Sequence, residues 1–185
     1  MEQNPWKILG QKLIYNNPWI RLTEFDVINP GGGEGIYGKV HYKNTAIGIM
    51  VLDDQMNTYL VGQFRFTVDQ YSWELPEGGA LVGTDSLEGA KRELLEETGL
   101  VAQKWAPLLK MHLSNSVSDE LAIVYLATDL TQYDAIPEET EQLQVKKLPF
   151  ATVYEMVKNG EITDAISIAT ILKIQLMILD GHFTK

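Results

Sequence analysis

The chain has 185 residues, 45% of them hydrophobic, and carries 25 acidic against 15 basic side chains, a formal charge of −10. That length can bury the core of one domain with a small appendage, while the negative charge argues against sequence-independent grip on DNA or RNA, which needs many Lys and Arg contacts to phosphate. The lack of cysteine excludes disulfides, thiolate metal centres and a cysteine nucleophile, and fits a reducing cytoplasm.

The first ten residues lack the basic start and apolar core of a signal peptide, so a cytoplasmic location is expected. Residues 12–15 and 19–28 alternate in polarity as strands do, and Asn29-Pro30-Gly31-Gly32-Gly33 makes a turn after them. Gly33, Gly35 and Gly38 have the spacing of a dinucleotide-binding fingerprint, but residues 39–43 and 45–52 read as extended. Such a fingerprint must open a helix, and we reject it here. Residues 1–43 form an expected N-terminal β segment, and 44–185 the main domain. The segment carries Trp6, Tyr15, Trp19, Phe25 and Tyr37, more aromatic surface than so small a unit can bury, which implies a partner surface. Residues 45–53 and 57–66 are β-rich, and Asp53-Asp54-Gln55-Met56 reads as a hairpin joining two central strands. A short strand is expected over 72–75.

Asp85, followed three residues later by Glu88, has the form of a helix N-cap with a reciprocal partner, and Gly99 supplies a left-handed stop. On the helix between them, Glu93, Glu96 and Glu97 share one face, beside an apolar stripe of Leu87, Ala90 and Leu94. Like charges at these spacings destabilise a bare helix by roughly 0.2–0.5 kcal/mol per pair, and Arg92 can offset part of that through Glu88 and Glu96. Hard oxygen ligands suit Mg²⁺ or Mn²⁺ rather than zinc. Taken in isolation, an acidic stripe reads better as a solvated surface; the flanking residues reverse that preference.

Further strands are expected at 108–113, 121–127 and 143–148, then helices at 151–159 and 163–180, stopped by Gly160 and Gly181. The apolar stretch 165–179 is interrupted by Ser167, Thr170, Lys173 and Gln175 and reads as a core helix, not a membrane span. His41, His112 and His182 have no spacing suited to a metal triad or a serine triad and read as structural. By composition alone, Arg65 is a solvated ion-pair partner and the run Pro137-Glu138-Glu139-Thr140-Glu141 a solvated loop. Glu74 and Glu77 could suggest a glycosidase pair, but nothing in the sequence sets the gap that pair requires.

Gly78, Thr84 and the run Arg92-Glu93-Leu94-Leu95-Glu96-Glu97-Thr98-Gly99-Leu100 together resemble the Nudix box, spanning 78–100. Every specified position matches except Thr84, where the family has a Glu that braces the loop against the box arginine. The resemblance implies an α/β/α sandwich on a mixed sheet, with the box as a loop, a helix and a second loop. It implies that Glu93, Glu96 and Glu97 hold Mg²⁺, with Mn²⁺ a possible substitute, while Gly78, Arg92 and Gly99 shape the box. Gln63-Phe64-Arg65-Phe66 and Trp73-Glu74-Leu75-Pro76-Glu77-Gly78-Gly79 are similar to the branch that cleaves ADP-ribose and other nucleoside diphosphate sugars. So is the run from Glu161 to Thr170.

From that branch Arg65 inherits a contact to phosphate or distal sugar, Glu74 a substrate role, and the backbone carbonyl of Glu77 a place on the metal. Glu139 is the expected general base, Glu141 an auxiliary metal-facing acid and Glu120 the reserve base. The N-terminal strands of this branch cross to a second subunit and sandwich the base, which implies a homodimer with Trp6, Trp19 and Tyr37 near substrate. Ser114-Asn115-Ser116 departs from the Ser-Pro-Gly of ADP-ribose pyrophosphatases and opens the reading to other sugar nucleotides, GDP-mannose among them. The resemblance thus implies a Mg²⁺-dependent pyrophosphohydrolase of a small nucleotide sugar, with no nucleic-acid or membrane partner. Nucleoside triphosphate sanitation and a non-catalytic sugar-nucleotide sensor are the alternatives.

Overall fold

The computed structural model describes residues 3–135 and 143–183. Its first three strands, β1 (Lys7–Asn16), β2 (Ile20–Ile28) and β3 (Glu34–Tyr42), form an antiparallel meander that is a sheet of its own. Asn29 builds the turn into β3, its side-chain oxygen accepting from the amides of Gly31 at 2.9 Å and Gly33 at 3.2 Å. Gly35 and Gly38 lie within extended β3, in keeping with the rejected dinucleotide fingerprint. β1 begins well before the strand expected from residue 12, because a register shift between Ile8 and Gly10 breaks the alternation on which that expectation rested.

The chain continues through β4 (Asn44–Val51), β5 (Asn57–Arg65), β6 (Gln70–Glu74), β7 (Glu77–Leu81), α1 (Ser86–Thr98), β8 (Leu100–His112), β9 (Leu121–Gln132), β10 (Gln144–Pro149), α2 (Phe150–Lys158) and α3 (Ala165–Leu179). A mixed sheet runs β7-β4-β9-β8, with β4 and β9 parallel and the other pairs antiparallel; β10-β5-β6 is a separate antiparallel sheet. The two-residue period of β4 organises the core. Ile47, Ile49 and Val51 pack with Ala90 and Leu94 of α1. Met50, together with Leu52 just beyond the strand, packs with Leu60, Leu75 and α3 residues Ile171 and Ile174. Gly48 lies against α3, where an added Cβ would stand 2.5 Å from the Ile166 side chain. The result is the expected mixed-sheet α/β/α sandwich. Among the described residues no helix is long and apolar enough to cross a membrane.

Three further expectations need correction. The turn at Asp53 exists, held by the Asp53 carboxylate accepting from the amides of Gln55 and Asn57, but it joins no hairpin. Both edges of β4 are taken by β7 and β9, so β5 leaves for the other sheet. The start of the box is a strand rather than a loop, since residues 77–81 pair with β4 despite their glycines. The strand expected at 108–113 begins directly after the helix at Leu100 and carries a register shift near Pro107. The remaining strands and both C-terminal helices fall close to their expected places. Gly160 and Gly181 end the helices with positive φ of 74° and 80°.

Candidate active site

The acids of α1 are aimed by the helix's own ends and by its buried stripe. Asp85 caps the N-terminus, accepting from the Leu87 amide at 2.9 Å; Gly99 ends it at φ 71° with its amide donating to the Leu95 carbonyl. Glu88 does not complete the expected reciprocal cap, because it is exposed and takes an ion pair with Lys91 one turn on. Burial of Ala90 and Leu94 fixes the helix rotation, which presses Glu93 and Glu97 against β7. Glu97, 3% exposed, accepts from the Glu77 amide at 3.0 Å, and Glu93 accepts from the Gly79 amide at 3.1 Å. Gly78 is required by this approach, since a Cβ there would overlap the Glu93 carboxylate.

Arg92 ties the acids together. It donates to Glu96 at 2.6 Å, to Glu93 at 2.6 Å and to the Gly79 carbonyl at 3.0 Å, and so supports Glu96 as expected but Glu93 in place of Glu88. Burial nonetheless outweighs Arg92 and pushes the Glu93 carboxyl above the ordinary range. Thr84, at the position of the family's Glu, closes the turn before the helix through its hydroxyl, which donates to the Leu81 carbonyl at 2.7 Å. As placed, the three box acids accept from Arg92 and from the β7 amides. Among the described residues no three acids or histidines are gathered around a single ion position.

Beside β7 lies a cavity of about 350 Å³ lined by Gln63, Arg65, Glu77, Gly78, Glu120 and Asp164. The Arg65 Nε lies 3.0 Å from each oxygen of Glu74, its Nη2 pairs with Glu74 as well, and Nη2 stands 3.4 Å from Glu77. Burial opposes ionisation of Glu74, yet Arg65 overcomes it and holds the carboxyl below the usual range. Glu77 goes the other way. Its burial, then repulsion from Asp164 and Glu74, lifts it well above that range despite Arg65. Burial also raises Glu120.

Two side chains here escaped the sequence reading. The Glu77 side chain was weighed only as half of a glycosidase pair and otherwise only its backbone drew attention, and Asp164 had no role although it stands in the matched run from Glu161. The available signal was Asp164 three residues before Ser167. Asp164 caps α3 by accepting from the Ser167 amide at 2.7 Å, and the Ser167 hydroxyl accepts from the Leu75 amide at 2.9 Å. The helix cap is thereby locked to the strand end that carries Glu74.

A second cavity, about 520 Å³, opens between the N-terminal meander and residues 112–119, and Trp6, Phe25, Tyr37 and Lys39 line it. Trp6 and Tyr37 meet edge to face with centroids 5.2 Å apart. Trp19 does not line this cavity and is largely exposed. Glu139 and Glu141 lie outside the described residues.

Known proteins resemble this chain in both of its parts. Residues 42–169 match the NUDIX domain, and residues 6–40 match the nucleoside diphosphate sugar hydrolase N-terminal domain. An ADP-ribose pyrophosphatase of Mycobacterium tuberculosis is 32% identical over 178 residues, covering 94% of this chain and 85% of the relative. One from Bacillus subtilis is 27% identical, covering 92% of each chain. A GDP-mannose pyrophosphatase of an Enterobacter species is 26% identical, covering 92% of this chain and 95% of the relative. In fold, the crystal structure of an ADP compounds hydrolase superposes with a TM-score of 0.87 at 18% identity, covering all of both chains.

Proposed function

We propose that this chain, which belongs to the Nudix family of hydrolases, splits the diphosphate of a nucleoside diphosphate sugar into a nucleoside monophosphate and a sugar phosphate. The observation that carries the reading is one continuous arrangement. The box acids are clasped onto β7, β7 borders the cavity holding Arg65 and Glu120, and an aromatic cavity lies across the loop that leads to Glu120. The names of the relatives favour ADP-ribose or GDP-mannose as the substrate class.

The donor set fits a hard divalent cation. It offers carboxylate and carbonyl oxygens with no thiolate, and Gly78 leaves the Glu93 carboxylate a cradle that any Cβ would fill. Glu93, Glu96, Glu97 and the Glu77 carbonyl would hold Mg²⁺, with Glu141 auxiliary and Mn²⁺ a substitute. A bound ion would supply charge neutralisation for the diphosphate and acidify a water. Arg65, tethered by Glu74 and Glu77, faces the cavity and orients a phosphate or the distal sugar. Glu139 takes the proton of the attacking water, with Glu120, whose carboxyl burial raises, in reserve. Trp6 and Tyr37 hold one end of the ligand. The division at residues 43 and 44, a homodimer through the N-terminal strands and a cytoplasmic location complete the proposal.

Incubation with ADP-ribose, GDP-mannose, other NDP-hexoses, NADH and nucleoside triphosphates, with and without Mg²⁺, tests it by mass identification of products. The expected result is Mg²⁺-dependent release of a nucleoside monophosphate from at least one sugar nucleotide. Turnover of triphosphates alone would replace this reading with nucleotide sanitation, and binding without product release would replace it with a sensor.

A further inference from the structure

The two cavities share one wall. Residues 113–120 leave β8, fold on themselves and enter β9, with the Ser118 amide donating to the Ser114 carbonyl at 2.9 Å and the Val117 amide to the same oxygen at 3.1 Å. Ser116 and Val117 face the aromatic cavity, whereas Leu113 and Glu120 face the cavity of Arg65. Asp119, itself in the wall of the aromatic cavity together with Lys39, stands where the first set gives way to the second. One of its oxygens lies 2.7 Å from His41 Nδ1 and 2.8 Å from Lys39 Nζ, and the other accepts from the Tyr42 amide at 3.1 Å. Backbone bonds extend the seam, since Val40 donates to the Val117 carbonyl at 2.9 Å and Asp119 to the Val40 carbonyl at 3.1 Å. A single carboxylate thus binds three groups of β3, and its immediate neighbour, Glu120, is a wall of the other cavity.

We propose that Asp119, with His41 and Lys39, is a positioning device that sets the span between the two cavities, so that the protein measures the length of a ligand with a head group at each end. This rests on the diphosphate reading above and goes beyond it by naming what selects a two-headed substrate over its halves. Bidentate and charge-assisted bonds suit the task because they fix direction as well as distance. Burial works against ionisation of Asp119, yet Lys39, His41 and the Tyr42 amide hold its carboxyl down at about 2, so that carboxylate is charged throughout the neutral range. A ligand reaching both cavities gains from their fixed separation, and one that fills a single cavity does not.

The test uses the full chain carrying Asp119→Asn, His41→Ala or His41→Gln. Steady-state kinetics on the sugar nucleotide found in the panel are compared with inhibition constants of its two halves, for example AMP and ribose 5-phosphate. The proposal expects Asp119→Asn to raise KM about tenfold with kcat within about twofold, while the inhibition constant of each half, including the one that reaches the aromatic cavity beside Asp119, rises by less than about threefold. His41→Gln, which keeps a donor, should recover most of what His41→Ala loses, and this pair decides the matter if Asp119→Asn fails to fold. An unchanged KM, or equal weakening of the halves, overturns the proposal. Hydrogen exchange of the Val40 and Asp119 amides reads the clamp without turnover and should be faster in Asp119→Asn; unchanged exchange also overturns it. A wild type that splits no sugar nucleotide removes the hydrolase reading and leaves exchange to judge the clamp.

Discussion

β1 and β4 are both hydrogen-bonded strands rich in aliphatic residues, yet β4 has five buried positions and β1 has none. β4 lies between two strands and two helical layers, whereas the meander of β1, β2 and β3 leaves Ile8, Leu13, Trp19 and Ile36 largely exposed. Hydrogen-bonded pairing and burial are separate achievements, and only the second supplies a large share of stability. A three-stranded sheet needs a covered apolar face to stand by itself. The body satisfies that condition from within; the meander answers it through the Asp119 seam and, in our proposal, through a second copy of the chain.

The difference can be broken most directly in the two cores. Leu94→Ala should cost about 2–5 kcal/mol in urea unfolding, because Leu94 is fully buried against β4. Leu13→Ala should cost less than about 0.5 kcal/mol in a dilute monomer. If Leu13→Ala instead lowers Tm in a way that depends on protein concentration, a partner covers that face. The next largest contrast is chemical. Glu97→Gln keeps an oxygen for the Glu77 amide but should lower kcat by roughly 10²–10³-fold, with the melting profile little changed. Trp6→Ala should act chiefly on KM, and a kcat loss of equal size would erase the distinction between the two regions.

The smallest expected effect lies at the seam. The Asp119 carboxyl is held at about 2, below its unfolded value, so its contribution is present above the unfolded pKa and is lost as pH falls through about 2. With Asp119 partly exposed, that contribution is about 1 kcal/mol. Acid titration of wild type and Asp119→Asn, followed by intrinsic fluorescence, should show the two stabilities converging as the pH drops from about 4 towards 2. Parallel curves would show that the seam carries no ionic stabilisation.

Legibility in the sequence followed the range of the interactions concerned. The box helix and the stops at Gly99, Gly160 and Gly181 were readable because caps and left-handed glycines act within one turn. The pairing partners of β4 and β5 were not, because a two-residue period tells which side is buried but not which strand lies alongside. Five residues of β7 were hidden by their glycines, whose value lies in contact with Glu93 rather than in strand propensity. The Glu77 side chain could not be given its setting, and Asp164 was overlooked, for a related reason: their meaning depends on each other and on Arg65, groups far apart in the chain that meet only at the cavity. The Asp119 seam was invisible for the same cause, since its partners sit on β3.

The parallel pairing of β4 with β9 carries a kinetic consequence. Ala46 aligns with Ala122, so the segment holding Arg65, Glu77 and the box helix is the loop that must be closed before the central pair can zip. Closing so long a loop demands entropy ahead of any reward, which makes late assembly and a slow refolding limb the natural course for this chain. Helix α1 is capped locally at both ends, but its carboxylates have no floor beneath them until that closure brings β7 alongside β4. Catalytic competence should therefore appear together with the last cooperative step of folding, and never in a partly folded chain.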